Sequence, residues 1–567
     1  MPDFSPETRP ANSPTVRWPS VINFSANTLS IGVQSLLQLV ATLGTALTTV
    51  PAVEPGADEF YQHDKVQTIH LTISQENLKK MHNALPERIY VSGTFSWRDA
   101  KLENVGIRYK GNSSSRPEQR HKRSFLIKVN EFEKGVRFLG LRRISLDNGV
   151  QFGSLFSEPI ITDILRAEGI PASRNNYARV FLNDKYIGVY GNVERIDESF
   201  VESRFKGKKG PLYKVHMPGP GATLSYAGED VNEYKKAFEP KTNAADKNYA
   251  ELIDLFRNIE RSRKTKDTLP LEQRLQLDEF LKTTAIMLLA GCFDQLTGWN
   301  PHNYYLYQHQ DASKWSYIPW DLDVGFADRA FGHLPVLDGW NAAWPIPGGP
   351  AKPILEAIVT QPELLKRYRI IADAILETHF KPGKLHRQLD SLHALIREDL
   401  AKDPFPKRRI TNQDDKGYED ILNQFKQFAT KRYHLARSQL DQPGERPKPH
   451  PGYQPENHRD PAPGNAPNGP SELRVVPYHD TVKIQWRDNA EKEAGHIIQR
   501  ASRETNWRFR NHIPRPGRAE TQAIDNRVVP GQTYQYRVYA VFQSPRSMTG
   551  SKPSNVIEIT TKARVEQ

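Results

Sequence analysis

Apolar residues recur with a two-residue period early in the chain and with a helical period later. Alternating runs predict strands at residues 66–73, 89–95, 105–110 and 124–129. Helical spacing predicts helices at residues 75–85, 157–168, 249–261, 271–293, 353–380, 385–399 and 418–440. The pattern therefore predicts an α+β domain with a strand-rich first half, a helix-rich second half and a cleft between them.

The end of the chain follows a different pattern. Residues 441–470 contain nine prolines and almost nothing to bury, which predicts a semi-extended linker. After it, short alternating runs separated by turn residues predict an all-β sandwich over residues 471–567. The run Pro530-Gly-Gln-Thr-Tyr-Gln-Tyr-Arg-Val-Tyr-Ala-Val resembles the sixth strand of a fibronectin type III domain. That resemblance implies that Trp486 is the core tryptophan and Tyr534 the tyrosine of the corner motif.

The first 63 residues lack a folding pattern. Residues 29–50 carry no charge, although Gln34 and Gln38 make this run less apolar than a typical membrane span. Two interpretations stay open for it. One is an export signal or weak membrane anchor, which would make the protein extracytoplasmic, either secreted or membrane-anchored. The other is a disordered tail with an amphipathic stretch.

Composition excludes several classes of protein. With 37% hydrophobic and 25% charged residues over 567 positions, the chain has material for a sizeable core, so wholesale disorder is excluded. A single cysteine, Cys292, excludes an internal disulfide and any multi-cysteine metal site. The net charge of +12 is spread over a long chain and favours acidic partners only weakly. A nucleic-acid partner is therefore not expected.

The first candidate site is a group of carboxylates. Asp294 follows a long, largely apolar helix, and Asp321 and Asp323 stand two residues apart where a Tyr/Ile/Trp strand ends. Two aspartates at that spacing on a strand point to one face and can share a divalent cation through hard oxygen ligands. Asn303 offers a neutral oxygen. The alternative for each residue is a structural role as a cap, a loop or a strand end.

The second candidate site is a basic hairpin. Lys110, Ser113 and Ser114 lie in and beside a Gly/Ser loop between two predicted strands, where backbone N–H groups and positive charge can meet phosphate oxygens. The glycine pattern is not that of a P-loop, so an ordinary basic hairpin is the alternative. Lys128 is predicted to face inward on an apolar strand, where it must find an anion.

These pieces occur in an order that resembles the CotH kinase family of atypical protein kinases, named after a spore coat protein. The resemblance covers roughly residues 64–440 and rests on the following segments: Val105-Gly-Ile-Arg-Tyr-Lys-Gly-Asn-Ser-Ser, Arg123-Ser-Phe-Leu-Ile-Lys, Phe138-Leu-Gly-Leu, Gly169-Ile-Pro-Ala, Phe181-Leu-Asn-Asp-Lys-Tyr-Ile-Gly-Val-Tyr, Val193-Glu-Arg-Ile-Asp, Asn303-Tyr-Tyr-Leu-Tyr and Ile318-Pro-Trp-Asp-Leu-Asp.

The resemblance implies a bilobal kinase-like fold that binds ATP with Mg²⁺ or Mn²⁺ and transfers phosphate to protein Ser/Thr. Carried over by motif, Asp294 is the catalytic base and Lys128 the phosphate lysine. Glu158 is the candidate ion-pair partner of Lys128, with Glu194 as the alternative. Asp321 and Asp323 are the metal ligands, with Asn303 as an auxiliary ligand. The chain has no His-Arg-Asp triplet and no Asp-Phe-Gly, and Asn303 lies nine residues after Asp294.

Two other functions stay open. The first is a non-catalytic cell-surface or adhesion protein on a kinase-like scaffold, which the proline-rich linker and the sandwich would equally suit. The second keeps ATP binding but transfers an adenylyl group or ligates an amino acid. The expected partners of the leading hypothesis are a nucleotide, a protein substrate and an envelope contact through the fibronectin-like region.

Overall fold

The structure is a computed structural model that describes most of the chain from residue 56 onward. The described residues are 56–111, 122–149, 154–205, 210–215, 222–246, 249–299, 301–310, 313–330, 334–405, 417–448, 463–466, 468–478, 481–491, 493, 495–514, 521–525, 528–543 and 548–562. The predictions for residues 1–55, for Ser113 and Ser114, and for much of the proline-rich linker lie outside these residues.

Seven strands near the start of the chain close into a barrel. They are β1 (Val66–Thr72), β2 (Val91–Trp97), β3 (Ala100–Lys110), β4 (Ser124–Lys128), β5 (Arg143–Asp147), β6 (Asn175–Leu182) and β7 (Lys185–Glu194). Their order around the barrel is β1-β2-β3-β4-β5-β7-β6, and only the β1–β6 pair is parallel. Alternate residues such as Ile107 and Ile127 fill the interior, so the intervening residues of β3 to β5 face outward.

Three helices accompany the barrel. They are α1 (Ala57–Phe60), α2 (Gln75–Asn83) and α3 (Ser154–Ala167). Phe60 is fully buried among the barrel residues, so packing extends upstream of the predicted start at residue 64. Pro159 lies inside α3 and has no N–H to donate to the carbonyl of Leu155. The Tyr177 hydroxyl donates a hydrogen bond to that carbonyl instead, so the buried carbonyl of Leu155 still has a hydrogen-bond partner.

A second sheet follows, with helices on one face. Its strands are β8 (Leu212–Val215), β9 (Phe238–Pro240), β10 (Tyr304–Gln308) and β11 (Trp315–Pro319), in the antiparallel order β11-β10-β8-β9. Alternate residues divide between two cores. Tyr304 and Leu306 join the helical core, whereas Tyr305 and Tyr307 pack with Val193 from the end of β7. The sheet therefore lies between the helices and the barrel.

Ten helices and a short hairpin complete this part of the described chain. The hairpin pairs β12 (Arg329–Ala330) with β13 (Leu334–Pro335). The helices are α4 (Glu198–Arg204), α5 (Asn232–Lys235), α6 (Asn243–Asp246), α7 (Tyr249–Thr265), α8 (Leu269–Arg274), α9 (Leu277–Ala290), α10 (Pro353–Thr360), α11 (Pro362–His379), α12 (Pro382–Ala401) and α13 (Tyr418–Asp441). None of the helices in the described ranges is long and apolar enough to cross a membrane.

Two of the predicted helices are each broken in two. The prediction of one helix over residues 271–293 is wrong because Leu275 turns to extended backbone and bridges to Trp315 between α8 and α9. The prediction over residues 353–380 is wrong because Gln361 is extended between α10 and α11. Pro362 then occupies the first turn of α11, where a missing N–H costs nothing.

The last strands form two further sheets. One contains β14 (Ser471–Pro477), β15 (Val482–Arg487) and β18 (Gln522–Asp525), and the other contains β16 (Gly495–Ser502), β17 (Arg510–Pro514), β19 (Thr533–Gln543), β20 (Met548–Gly550) and β21 (Ile557–Thr560). Trp486 is buried in the core that they share, as predicted. The Tyr534 hydroxyl accepts a hydrogen bond of 2.8 Å from the Val529 N–H.

Candidate active site

Asp294 lies in the loop that follows α9. The helix ends at Gly291, whose φ of +73° is left-handed and suits a residue without a side chain. Asp294 is 8% exposed, and its Oδ2 accepts a hydrogen bond of 2.8 Å from Nδ2 of Asn303. Its other oxygen, Oδ1, is buried and has no hydrogen-bond partner among the described residues. One carboxylate oxygen is thus held in place and the other is left for a ligand.

The β10–β11 hairpin brings Asn303 and Asp321 together, because Asn303 precedes β10 and Asp321 comes two residues after β11. The N–H of Trp320 donates to the carbonyl of Asn303 at 2.9 Å. Asn303 and Asp321 are both left-handed, with φ of +58° and +60°. Asn and Asp tolerate this region better than most residues, and single strained positions cluster at functional sites.

Four carboxylates act on one another around this hairpin end: Asp294 and Glu158 are buried, and Asp321 and Asp323 are half-buried. Burial raises the pKa of Asp294 well above its ordinary value, and the charge of Asp321 raises it further. Burial, followed by the charges of Asp321 and Asp294, raises the pKa of Asp323 in the same way. Burial, with smaller contributions from Asp147 and Asp321, raises the pKa of Glu158 to about 8. These carboxylates therefore repel one another when they are ionised.

The donors at this site fit a divalent cation such as Mg²⁺. They are hard carboxylate oxygens, and a cation would relieve the mutual repulsion that adds to the effect of burial on the pKa values. Within the described ranges, however, no three His, Cys, Asp or Glu side chains adopt a ligating arrangement. The metal roles of Asp321, Asp323 and Asn303 stay predictions.

Three cations lie beside the carboxylates. Lys110, on the outer face of β3, donates to Oγ of Ser145 at 2.8 Å and forms an ion pair with Asp147. Its Nζ lies 5.7 Å from the centre of the Trp320 ring, and Cζ of Arg195 lies 4.5 Å from the same ring. Lys214 is on β8, where burial and the charge of Arg195 lower its pKa to about 7.

Lys128 does not form the predicted ion pair with Glu158 or Glu194. It pairs with Glu131 at 2.5 Å, and Glu194 pairs with two arginines, Arg174 and Arg204, at 2.5 Å each. The reason is position along the strand. Lys128 lies opposite Gly106, four residues along β3 from Lys110. Lys110 is the lysine that the fold brings close to Glu158.

Sequence reasoning missed four residues that surround this site: Asp147, Arg195, Lys214 and Trp320. Arg195 and Trp320 stand inside segments that carried the family resemblance, at Val193-Glu-Arg-Ile-Asp and Ile318-Pro-Trp-Asp. A charged residue directly beside a candidate site residue was the available signal for Arg195. Asp147 and Lys214 come from strands that are distant in sequence, so no local pattern connects them to Asp321.

Comparison with known proteins gives one family. A family model described as CotH kinase protein matches residues 107–435. The inner spore coat protein H of Bacillus subtilis (strain 168) is 22% identical over 322 residues, which are 55% of this chain and 82% of that protein.

Among solved structures, a β-1,2-glucanase from Parabacteroides distasonis matches 18% of this chain and 14% of its own, with 19% identity and a TM-score of 0.15. A redesigned β-sandwich protein matches 18% of this chain and 97% of its own, with 14% identity and a TM-score of 0.16.

Proposed function

The chain belongs to the CotH kinase protein family, and from this premise we propose that it is an atypical protein kinase that uses ATP and a divalent metal to phosphorylate Ser or Thr of a protein substrate. The observation that carries the proposal is the convergence of Asp294, Asn303, Asp321 and Asp323 at one end of the β10–β11 hairpin. Phosphoryl transfer requires mainly positioning and charge stabilisation, which these residues can provide. The barrel and the helical part would be the two lobes.

Each side chain has a role in this proposal. Asp294 accepts the proton of the attacking hydroxyl through Oδ1, while Asn303 holds Oδ2 and so sets the orientation of the carboxylate. Asp321 and Asp323 would hold the metal, which when bound neutralises charge on the transferred phosphoryl group. Lys110, close to Glu158, takes the place that the sequence assigned to Lys128.

The relative's name supports a location. The relative is named an inner spore coat protein, and from that name we infer an extracytoplasmic location for this chain. The C-terminal strands, with buried Trp486 and the Tyr534 corner contact, support a fibronectin type III-like domain that places the enzyme at an envelope. The fibronectin type III-like domain supplies no catalytic group in this proposal.

The decisive experiment measures phosphate incorporation. The full chain is incubated with ATP, Mn²⁺ and a generic protein substrate, and intact-mass spectrometry counts the added phosphates. Wild type should incorporate phosphate. In Asp323→Asn, phosphate incorporation should fall by at least about 100-fold, because a metal ligand is removed. Asp328→Asn, an exposed aspartate in the same segment, is the matched control and should retain full activity.

Other outcomes point to other functions. A wild-type chain that binds no ATP with metal present would favour the non-catalytic adhesion scaffold. A mass increase of an adenylyl group instead of a phosphate would indicate nucleotidyl transfer on the same site.

A further inference from the structure

Two cations, Arg195 and Lys214, lie beside the carboxylate cluster, where Asp147 and Asp197 attract Arg195 and Asp321 attracts Lys214 without direct contact among the described residues. Arg195 follows β7, and its Nε is shielded from solvent without a hydrogen-bond partner in the described chain. Lys214 lies opposite Tyr305 in the β8–β10 pair, with Nζ 5.9 Å from the centre of that ring. Neither side chain forms an ion pair or a hydrogen bond with any residue that the structure describes.

Three neighbouring cations within the described ranges form ion pairs. Lys110 pairs with Asp147, Arg143 pairs with Asp197 at 3.0 Å, and Lys241 pairs with Glu239. Within the described ranges, Arg195 and Lys214 differ from these three cations in making no direct ion pair, and they lie close enough for one to lower the pKa of the other. Enclosed charges without a partner are costly, and folds that keep them use them for a ligand of opposite charge.

The chemistry of the pair selects the ligand. The guanidinium of Arg195 stacks on Trp320, which fixes the plane of its donor fork, and Lys214 adds a point charge. A planar fork beside an ammonium group matches the oxygens of a phosphate better than a single carboxylate. Trp320 directly precedes Asp321, so the anion would lie next to the carboxylate cluster.

We propose that Arg195 and Lys214 form a phosphate-binding site beside Asp321. Two sources share this chemistry: the phosphates of the nucleotide and a free phosphate or phosphorylated residue. We assign the site to the nucleotide because both cations adjoin the residue predicted to hold its metal. The assignment to the nucleotide rests on the function proposed above. Phosphate binding by Arg195 and Lys214 is independent of that function.

The test uses tripolyphosphate as the probe and calorimetry on the full chain. Wild type should bind tripolyphosphate, and Lys214→Met and Arg195→Met should each weaken binding at least about tenfold, as expected for a charged contact of about 1.4 kcal/mol or more. Lys241→Met is the matched control, because it removes a nearby cation that already has a partner, and should bind within about twofold of wild type.

Melting temperature separates a ligand role from a structural one. Lys214→Met removes an enclosed like charge beside Arg195, so without anion it should melt at or above the wild-type temperature. A variant that melts lower and still binds tripolyphosphate normally would overturn the proposal. So would a wild-type chain that does not bind tripolyphosphate. If Arg195→Met does not fold, Lys214→Met and Arg195→Lys decide, since the lysine keeps the charge and loses the fork.

The source of the phosphate is tested with ATP, adenosine and inorganic phosphate. If the site binds the nucleotide, Lys214→Met and Arg195→Met should weaken the affinity for ATP as much as the affinity for tripolyphosphate. Adenosine binding should be unchanged, and tripolyphosphate should compete with ATP. Unchanged ATP affinity together with inorganic phosphate binding alongside ATP would overturn the nucleotide assignment. If the two variants lose affinity for tripolyphosphate but the wild-type chain transfers no phosphate, the result would support the site and contradict the proposed function.

Discussion

The side-chain amide of Asn303 donates a hydrogen bond of 2.8 Å from Nδ2 to Oδ2 of Asp294. The same residue accepts a bond of 2.9 Å at its backbone carbonyl from the N–H of Trp320. Asn303 thereby connects the loop after α9 to the end of β11, where Asp321 begins. One oxygen of Asp294 is fixed by this contact, so in the proposed mechanism Asn303 orients the base.

The first prediction concerns the base itself. Asp294→Asn should leave nucleotide and metal affinity nearly unchanged, since a base acts on the substrate hydroxyl. Phosphate incorporation should fall by about tenfold or more, a floor set below the roughly 100-fold that positioned acid–base groups typically contribute. Intact-mass spectrometry and calorimetry measure the two quantities on one sample.

Asn303→Gly is the companion variant, because glycine keeps the left-handed backbone at this position and removes only the amide. It should lower transfer by less than Asp294→Asn. An Asp294→Asn variant that melts early but transfers phosphate at the wild-type rate would remove Asp294 from the mechanism.

The second prediction concerns the metal. The carboxylates of Asp294, Asp321 and Asp323 repel a triphosphate as they repel one another, so nucleotide binding should require a cation between them. ATP with Mg²⁺ should raise the melting temperature by about 2 °C or more, and ATP in excess EDTA should not. Equal stabilisation in EDTA would contradict the metal roles of Asp321 and Asp323.

The third prediction concerns a buried arginine that holds backbone carbonyls near the end of α9. Arg432 is 1% exposed and donates to the carbonyls of Trp340 at 2.6 Å and of Leu288 at 3.1 Å, near the end of α9. Arg432→Met should lower the free energy of unfolding by several kcal/mol, at about 1–3 kcal/mol for each buried acceptor left without a donor. Denaturant unfolding measures this, with exposed Arg397→Met as the control.

Much of the fold could be predicted from the sequence because local pattern decides it. The strands at 66–73 and 124–129 and the helix at 418–440 were confirmed within a few residues. The helix breaks were not predicted, since the bridge from Leu275 to Trp315 is a contact between residues distant in sequence. Proline after Gln361 was the local signal that the periodicity obscured.

The site was only partly predictable, for a related reason. The carboxylates stand at element ends that sequence pattern locates. The predicted ion pair of Lys128 with Glu158 or Glu194 was wrong. Lys110 and Lys128 point to the same outer face of neighbouring strands, and only the pairing register decides which one reaches Asp147. Arg195 and Lys214 approach Trp320 and Tyr305 through tertiary packing that no local pattern encodes.

The fourth prediction concerns truncation before the C-terminal strands. The carbonyl of Pro443 accepts a bond of 3.0 Å from Nε1 of Trp344, and Arg446 pairs with Glu356 at 3.0 Å. A chain that ends at residue 448 should therefore keep wild-type nucleotide affinity and nearly its stability. A chain that ends at residue 441 lacks these contacts, so its free energy of unfolding should fall by about 1 kcal/mol. Loss of ATP binding in the chain that ends at residue 448 would show that residues 449–567 contribute to the site.

The last prediction concerns pH and a buried lysine outside the site. Lys352 is 4% exposed, donates to the carbonyls of Gly348 at 2.7 Å and Pro350 at 3.1 Å, and burial lowers its pKa from 10.5 to about 7. Between these two pH values the unfolded chain holds a proton that the folded chain lacks, so through this group stability increases as pH rises.

The effect is measured as a difference between wild type and Lys352→Met, because the methionine keeps the volume and removes the titration. From pH 7 to pH 9, wild type should gain on the order of 1 kcal/mol or more over the variant in free energy of unfolding. Exposed Lys366→Met gives the control, with a difference that does not change over this range. A difference for Lys352→Met that stays constant with pH would mean that the buried amine keeps its ordinary pKa, with its charge satisfied by the two carbonyls.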